Sequence, residues 1–196
     1  MNNININKNS NQYGRSMIEM LGVLAIVGVL SVGGIAGYSK AMTKFKINKT
    51  ADQISQIVTN IRTLYAQQTT YDGLNTATAI QMGVTPSEMG TGTTLTNPFN
   101  GAVLINYSYN KGFTIEIGSL PKEACVTLAT YDWGSSYSSG FIGMGIYNSA
   151  VQSLDIGCSD ASAGTWCSSQ GPMTVTTAAT GCSDDTDHNW LFLKFY

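Results

Sequence analysis

MLGVLAIVGVLSVGGIAGYS, Met20 to Ser39, is a run of twenty residues without a charge. As a helix rising about 1.5 Å per residue it spans roughly 30 Å, the thickness of a bilayer's hydrocarbon core. Glu19 stands immediately before it and Lys40 immediately after. A secretory signal peptide is the other use of such a run, with residues 1–15 as its n-region and cleavage after a small residue such as Ala36. The glutamate at its start counts against that use, as does a length beyond the usual h-region of about 7 to 15 residues. Five glycines (Gly22, Gly28, Gly33, Gly34, Gly37) weaken the helix in water, where each costs about 1 kcal/mol relative to Ala. In lipid that matters less, because small residues let helices pack closely. The run therefore predicts a membrane-spanning helix over 20–39.

Toward the carboxyl end the helical pattern continues. Apolar or small residues recur at Ile47, Ala51, Ile54, Val58, Ile61 and Tyr65, with Ile57 and Leu64 widening the stripe, which is the period of an amphipathic helix with one face on a core. Neither proline nor glycine occurs between Tyr38 and Asp72. One helix from Ser16 to Tyr71 is expected, its first half in lipid and its second half on a globular head. Lys40, Lys44, Lys46 and Lys49 lie where it leaves the apolar run. They rest on lipid phosphates, face acids on another subunit, or stand in solvent.

The remainder of the chain is a head of different character. Of 196 residues 43% are hydrophobic and only 11% charged, with net charge -2, so the basic excess of a nucleic-acid binder is missing and no direct nucleic-acid binding is expected. The balance hides a gradient. Residues 1–51 hold six Lys/Arg and one acid, residues 52–102 one Arg and three acids, and residues 103–196 three Lys and eight acids. A chain basic at one end and acidic at the other suggests two environments, or subunits that meet head to tail. The positive-inside bias of the four lysines points the head toward the cytoplasm. The four cysteines (Cys125, Cys158, Cys167, Cys182) point outward, since an even number without CxxC spacing reads as disulfides in an oxidising compartment. The cysteines weigh more, because large domains translocate largely regardless of charge. Four cysteines permit three pairings.

Residues 72–102 are rich in Thr, Gly and Asn and read as a connection with one short helix. VLINYSY (Val103 to Tyr109) and FTIEI (Phe113 to Ile117), separated by Asn110, Lys111 and Gly112, form a hairpin signal. PKEACVTLATYDW (Pro121 to Trp133) reads as a helix carrying Cys125. Phe141 to Tyr147, Met173 to Thr177 and Trp190 to Tyr196 read as strands. Helix, connection and antiparallel sheet in that order give an α+β fold: a long amino-terminal α-helix packed on a carboxyl-terminal β-sheet head.

GRSMIEMLGVLAIVGVLSVGGIAGYSKAM, Gly14 to Met42, resembles the processing site and amino-terminal helix of a type IV prepilin. In that family a membrane peptidase cuts after a glycine and methylates the new amino terminus, and a glutamate occupies the fifth mature position. The resemblance implies Gly14 as the last leader residue, Arg15 as the new terminus and Glu19 as the assembly residue, its carboxylate paired with the freed amine of Arg15 on a neighbouring subunit. Arg15 stands where the family usually has Phe or Met, and the apolar helix lacks the proline that bends many pilins. IQMGVTPSEM (Ile80 to Met89) and LTNPFNGA (Leu95 to Ala102) look like the loop that links helix to sheet in type IVb pilins. By the same resemblance Cys125 pairs with Cys182, leaving Cys158 with Cys167, and the longer loop holds an irregular surface over Gly134 to Gly140 and Ser159 to Gly171. The implied division is a leader at 1–14, a helix at 15–71, and a loop and head at 72–196.

Signs of catalysis are nearly absent. His188 is the only histidine, the cysteines are accounted for as pairs, and neither GxSxG, a P-loop nor GxGxxG after a strand occurs. CSDDTDHNW (Cys182 to Trp190) gathers Asp184, Asp185, Asp187 and His188 but lacks the glycine and distal glutamate of an EF-hand loop. It reads as a solvated loop, with neither metal nor cofactor expected. Tyr131, Trp133, Tyr137 and Trp166 read as core filling rather than a receptor surface. The resemblance implies a structural subunit of a type IV pilus, serving adhesion, aggregation or DNA transfer. Its implied partners are further copies of itself in a helical homopolymer, the prepilin peptidase, the assembly platform and ATPase, and the inner membrane before assembly. The alternatives are a minor pilin or a secretion pseudopilin and, from another class, a non-polymerising envelope binding domain.

Overall fold

A computed structural model of the chain describes residues 13–90, 92–108, 112–134, 140–147, 166–169, 171–184 and 188–196, without the side chains of 13–16 and 166–169. Helix α1 runs from Tyr13 to Leu64 as 52 continuous residues. It stops short of the expected end at Tyr71. Gln67 to Thr70 offer no apolar side chain to the core and are exposed, so tertiary packing no longer supports the helix there. The chain turns instead, with the Tyr65 and Gln68 amides donating to the carbonyls of Ile61 and Tyr65. The structure falls into two units, Met1–Thr43 and Lys44–Tyr196, and α1 contributes to both.

Within the second unit the amphipathic stripe becomes core. Ile47, Ala51, Ile54, Ile57, Val58 and Ile61 are buried in one cluster with Phe113, Ile115, Ile117, Leu191, Leu193 and Phe195. Burying an isoleucine contributes about 1.5–3 kcal/mol, so this face holds the helix more firmly than its backbone preference could. Tyr71, past the end of the helix, packs between Tyr65 and Phe113 with tilted rings, at 5.0 Å from each ring. Burial pushes the phenol pKa of Tyr71 up, partly opposed by the charge of Arg62.

The connection holds a short helix α2, Thr76–Gln81, closed by a capping box in which the Asn75 side chain accepts from the Thr78 amide. A 3-10 turn follows at Ser87–Met89. The sheet comprises β1 (Leu95–Thr96), β2 (Ala102–Ser108), β3 (Gly112–Leu120), β4 (Phe141–Tyr147), β5 (Trp166–Ser169) and β6 (Asn189–Phe195). Their spatial order is β1-β2-β3-β6-β4-β5, with every pairing antiparallel. The β2–β3 hairpin has the predicted pairing, with Ile105 opposite Ile115. The last strand occupies the middle of the sheet, pairing Leu193 with Ile115 on one side and with Met144 on the other.

Besides the end of α1, two expectations need correction. Met173 to Thr177, read as a strand, instead leads into helix α4, Val175–Gly181. The Thr174 hydroxyl accepts from the Thr177 amide as an N-cap, Ala178 buries against the core, and these overrule the β-branched composition. The second correction is β5, which pairs with β4 inside a stretch expected to be irregular. The remaining expectations for Ser135–Ser139 and Ser159–Thr165 fall outside the described residues. Helix α3, Lys122–Ala129, starts at Pro121 as read from the sequence.

Cys125 on α3 and Cys182 at the end of α4 form a disulfide with a Cα separation of 5.9 Å. Both are fully buried. Beside it the Asn189 amide donates to the carbonyls of Leu120 and Asp184 at 3.0 and 2.8 Å, and its oxygen accepts from the Asp184 amide. That buried side chain ties the start of β6 to the end of β3 and to the segment after α4. Cys158 and the Cys167 side chain lie outside the described residues.

Candidate assembly site

Gly14 and Arg15 lie in the first turn of α1, where the backbone amides have no helical partner. Their side-chain surroundings are outside the described residues. Glu19 follows one turn later and is exposed. Between Arg15 and Lys40 it is the single charged residue.

Around it every described side chain is uncovered. Ile18 is 74% exposed, Leu24 63%, Val29 75% and Ile35 70%. The five glycines have open space where a Cβ would stand. The helix is long and apolar enough to cross a membrane. Apolar surface of this extent is not stable in water, so the segment requires lipid or the same segment of other copies around it. A carboxylate in that surrounding needs a cation close by, because charge drawn into hydrocarbon is costly.

Past the apolar run, the four lysines of α1 separate by exposure into two pairs. Lys40 and Lys44 are exposed, whereas Lys46 and Lys49 are half-buried. The Lys46 ammonium lies 5.5 Å from the centre of the Phe99 ring. Lys49 lies near Glu88, whose carboxyl is held below the ordinary range first by its own backbone amide, then by the Gln53 side chain and the Lys49 charge. Gln53 Nε2 donates to Glu88 Oε1 at 3.4 Å. These contacts pin the connection onto α1. For Lys46 the sequence held a signal, since it adjoins Ile47 of the apolar stripe; Lys49 adjoins Thr50, which only the structure shows to be buried.

Elsewhere the candidate residues are less concentrated. His188 is 66% exposed with its Nδ1 3.8 Å from the Asp184 carboxylate, and Asp185 and Asp187 lie outside the described residues. Trp133 is buried and donates to the Leu128 carbonyl at 2.9 Å, as core filling requires. Tyr131 packs edge-on against it at 5.0 Å while remaining exposed. Tyr137 and the Trp166 side chain are not described.

An exposed apolar helix is thus followed by a disulfide-closed α+β head. The family model described as PilS N terminal matches residues 44–193. The chain belongs to the type IV pilins. Across 188 residues this pilin is 27% identical to the major structural subunit of bundle-forming pilus from Escherichia coli O111:H-, covering 92% of this chain and 94% of the relative. It is 26% identical over 132 residues to the toxin coregulated pilin of Vibrio cholerae serotype O1, covering 63% of this chain and 59% of that one. Among solved structures, TcpA, a type IV pilin from Vibrio cholerae El Tor biotype, shares the fold with a TM-score of 0.52 at 19% identity, covering 77% of this pilin and 99% of TcpA. Pilins are structural subunits, not enzymes, which agrees with the shortage of catalytic motifs.

Proposed function

We propose that the chain is made as a precursor, inserted with its head outside the inner membrane, cut between Gly14 and Arg15, and polymerised into a pilus whose core is a bundle of α1 helices. The observation that carries this reading is the uncovered apolar half of α1 with Glu19 as its single charge. A new amine on Arg15 of one copy neutralises Glu19 of the next as the helices bundle, so that assembly removes both the exposed apolar surface and the isolated carboxylate. The peptidase, the assembly platform and its ATPase are the partners this route requires. The Escherichia coli relative is named a major structural subunit, which favours a major over a minor subunit. The filament then serves adhesion, aggregation or DNA transfer.

Amino-terminal sequencing and intact mass of the chain isolated from envelope and from sheared filaments test the route. A terminus at Arg15, heavier by one methyl group, is expected, with the chain forming most of the filament protein. An uncut terminus, or one near Gly37, overturns the processing step.

A further inference from the structure

The division of the basic collar into two pairs leaves two lysines without work inside the chain. Lys46 and Lys49 are engaged by Phe99 and Glu88. No hydrogen bond or ion pair holds Lys40 or Lys44 among the described residues. Lys40 is the first charge after the twenty-residue apolar run, and Lys44 lies one turn further along the same helix. If that run fills the hydrocarbon core, both ammonium groups sit at headgroup depth. Two aromatic rings bracket them, Tyr38 at 67% and Phe45 at 59% exposed. Seven residues of helix separate those rings by about 10 Å, close to the depth of one interfacial layer. Exposed rings beside exposed lysines at this depth match the chemistry of a bilayer surface, where amphipathic rings sit among headgroups and lysines reach phosphate. In the unassembled subunit no second α1 covers the rings, and a bilayer surface meets lysines and rings together.

We propose that Tyr38, Lys40, Lys44 and Phe45 form an interfacial anchor that binds anionic phospholipid headgroups and fixes the depth of the unassembled subunit. The inference rests on the membrane residence of α1 given above and does not depend on processing at Gly14. Each lysine near an anionic surface favours binding by roughly fivefold. The pair therefore gives a marked preference for anionic over zwitterionic lipid, which fades with salt.

The full chain, reconstituted in phosphatidylcholine vesicles containing a minority of phosphatidylglycerol, tests this through the fraction of each spin-labelled lipid immobilised at the protein. Several-fold selection of phosphatidylglycerol is expected, falling severalfold in Lys40→Gln/Lys44→Gln to the level that Lys8 and Arg15 at the other end of the run sustain, and persisting in Lys46→Gln/Lys49→Gln. Flotation with the vesicles, unchanged across all three, shows that insertion is intact. Equal selection of the two lipids by the unaltered chain overturns the proposal, as does full selectivity in Lys40→Gln/Lys44→Gln. If that variant keeps its lipid selectivity but loses carbodiimide cross-linking between copies, the lysines serve a second copy instead, and the proposal falls. A chain that does not float at all removes the membrane residence itself, an outcome distinct from a floating chain without selectivity.

Discussion

Glu19 is a charge without a described partner in the single chain, placed in the segment least able to solvate it. Glu19→Ala leaves the head untouched, because the core begins at Ile47. The variant is therefore expected to melt like the parent while filament yield falls sharply in sheared preparations. Filaments of normal number and length from that variant would show that the carboxylate is not needed for register. The disulfide makes the opposite kind of claim, about the head alone. Cys125 and Cys182 are 57 residues apart in sequence, and closing a loop of that size stabilises by about 4 kcal/mol in the chain-entropy treatment. Cys125→Ser is expected to lower the melting temperature by roughly 10 °C, read by circular dichroism, and an unchanged value sinks that role for the bond. The pairing was implied by resemblance and not by the residues themselves, which allow three arrangements. Other single-residue facts were not legible at all. Gly118 lies under the Trp190 ring, where a Cβ would stand 2.5 Å from a ring carbon. The alternation of FTIEI gives no sign that Thr114 and Glu116 are buried together with Ile115 and Ile117, because period-two patterning identifies the two faces of a strand and not what covers each.

Elements were legible where one strong period or one strong stop decided them. The apolar period of α1 has no competitor, and the β2–β3 hairpin has alternation on both sides of a turn. The end of α1, the α4 helix and β5 were not, because neighbours in space and not local preference set them. Docking of the connection onto α1 is a case in point, since it depends on Lys46 meeting Phe99 and Gln53 meeting Glu88 across 53 and 35 positions of sequence. It also yields a dependence on pH. The folded-state pKa of Glu88 is depressed by its backbone amide, Gln53 and Lys49. A depressed carboxyl pKa means that the native contact favours the charged form, so its stabilisation is present above the ordinary value of 4.5 and is lost as pH falls through the lower folded value. Glu88 is exposed, which keeps the effect local. The protection factor of the Ser87–Met89 turn, which takes out the intrinsic slowing of amide exchange by acid, is expected to fall on acidification below that range more than that of β3. Glu88→Gln removes the difference, and a variant with the parent's pH profile places the cause elsewhere.

At the scale of the whole molecule, the two units differ in chemistry as well as in burial. Without residues 1–14, the first unit from Arg15 to Thr43 carries two Lys/Arg and one acid, and Lys44–Tyr196 carries seven Lys/Arg and eleven acids. Opposite net signs at the two ends suit contacts between different ends of successive copies more than like-to-like pairing, consistent with a polymer built from heterologous contacts. The sequence made this architecture legible, since a membrane-length run and an α+β head differ in composition, charge and period. It could not say where along α1 the head's requirement begins. The buried residues answer that: Ile47 is 5% exposed, and Ile54, Ile57 and Ile61 are fully buried. Four such side chains at about 1.5–3 kcal/mol each are comparable with the whole stability margin of roughly 5–15 kcal/mol of an ordinary domain. A chain starting at Lys44 retains all four and is expected to be soluble, with one cooperative unfolding transition. A chain starting at Leu64 loses them, leaving one face of the sheet uncovered, and is expected to lack near-ultraviolet dichroism and to aggregate. Cooperative folding of the shorter chain would show that α1 leans on the head without being part of its core, and failure of the longer one would show that the first unit is needed to fold the second.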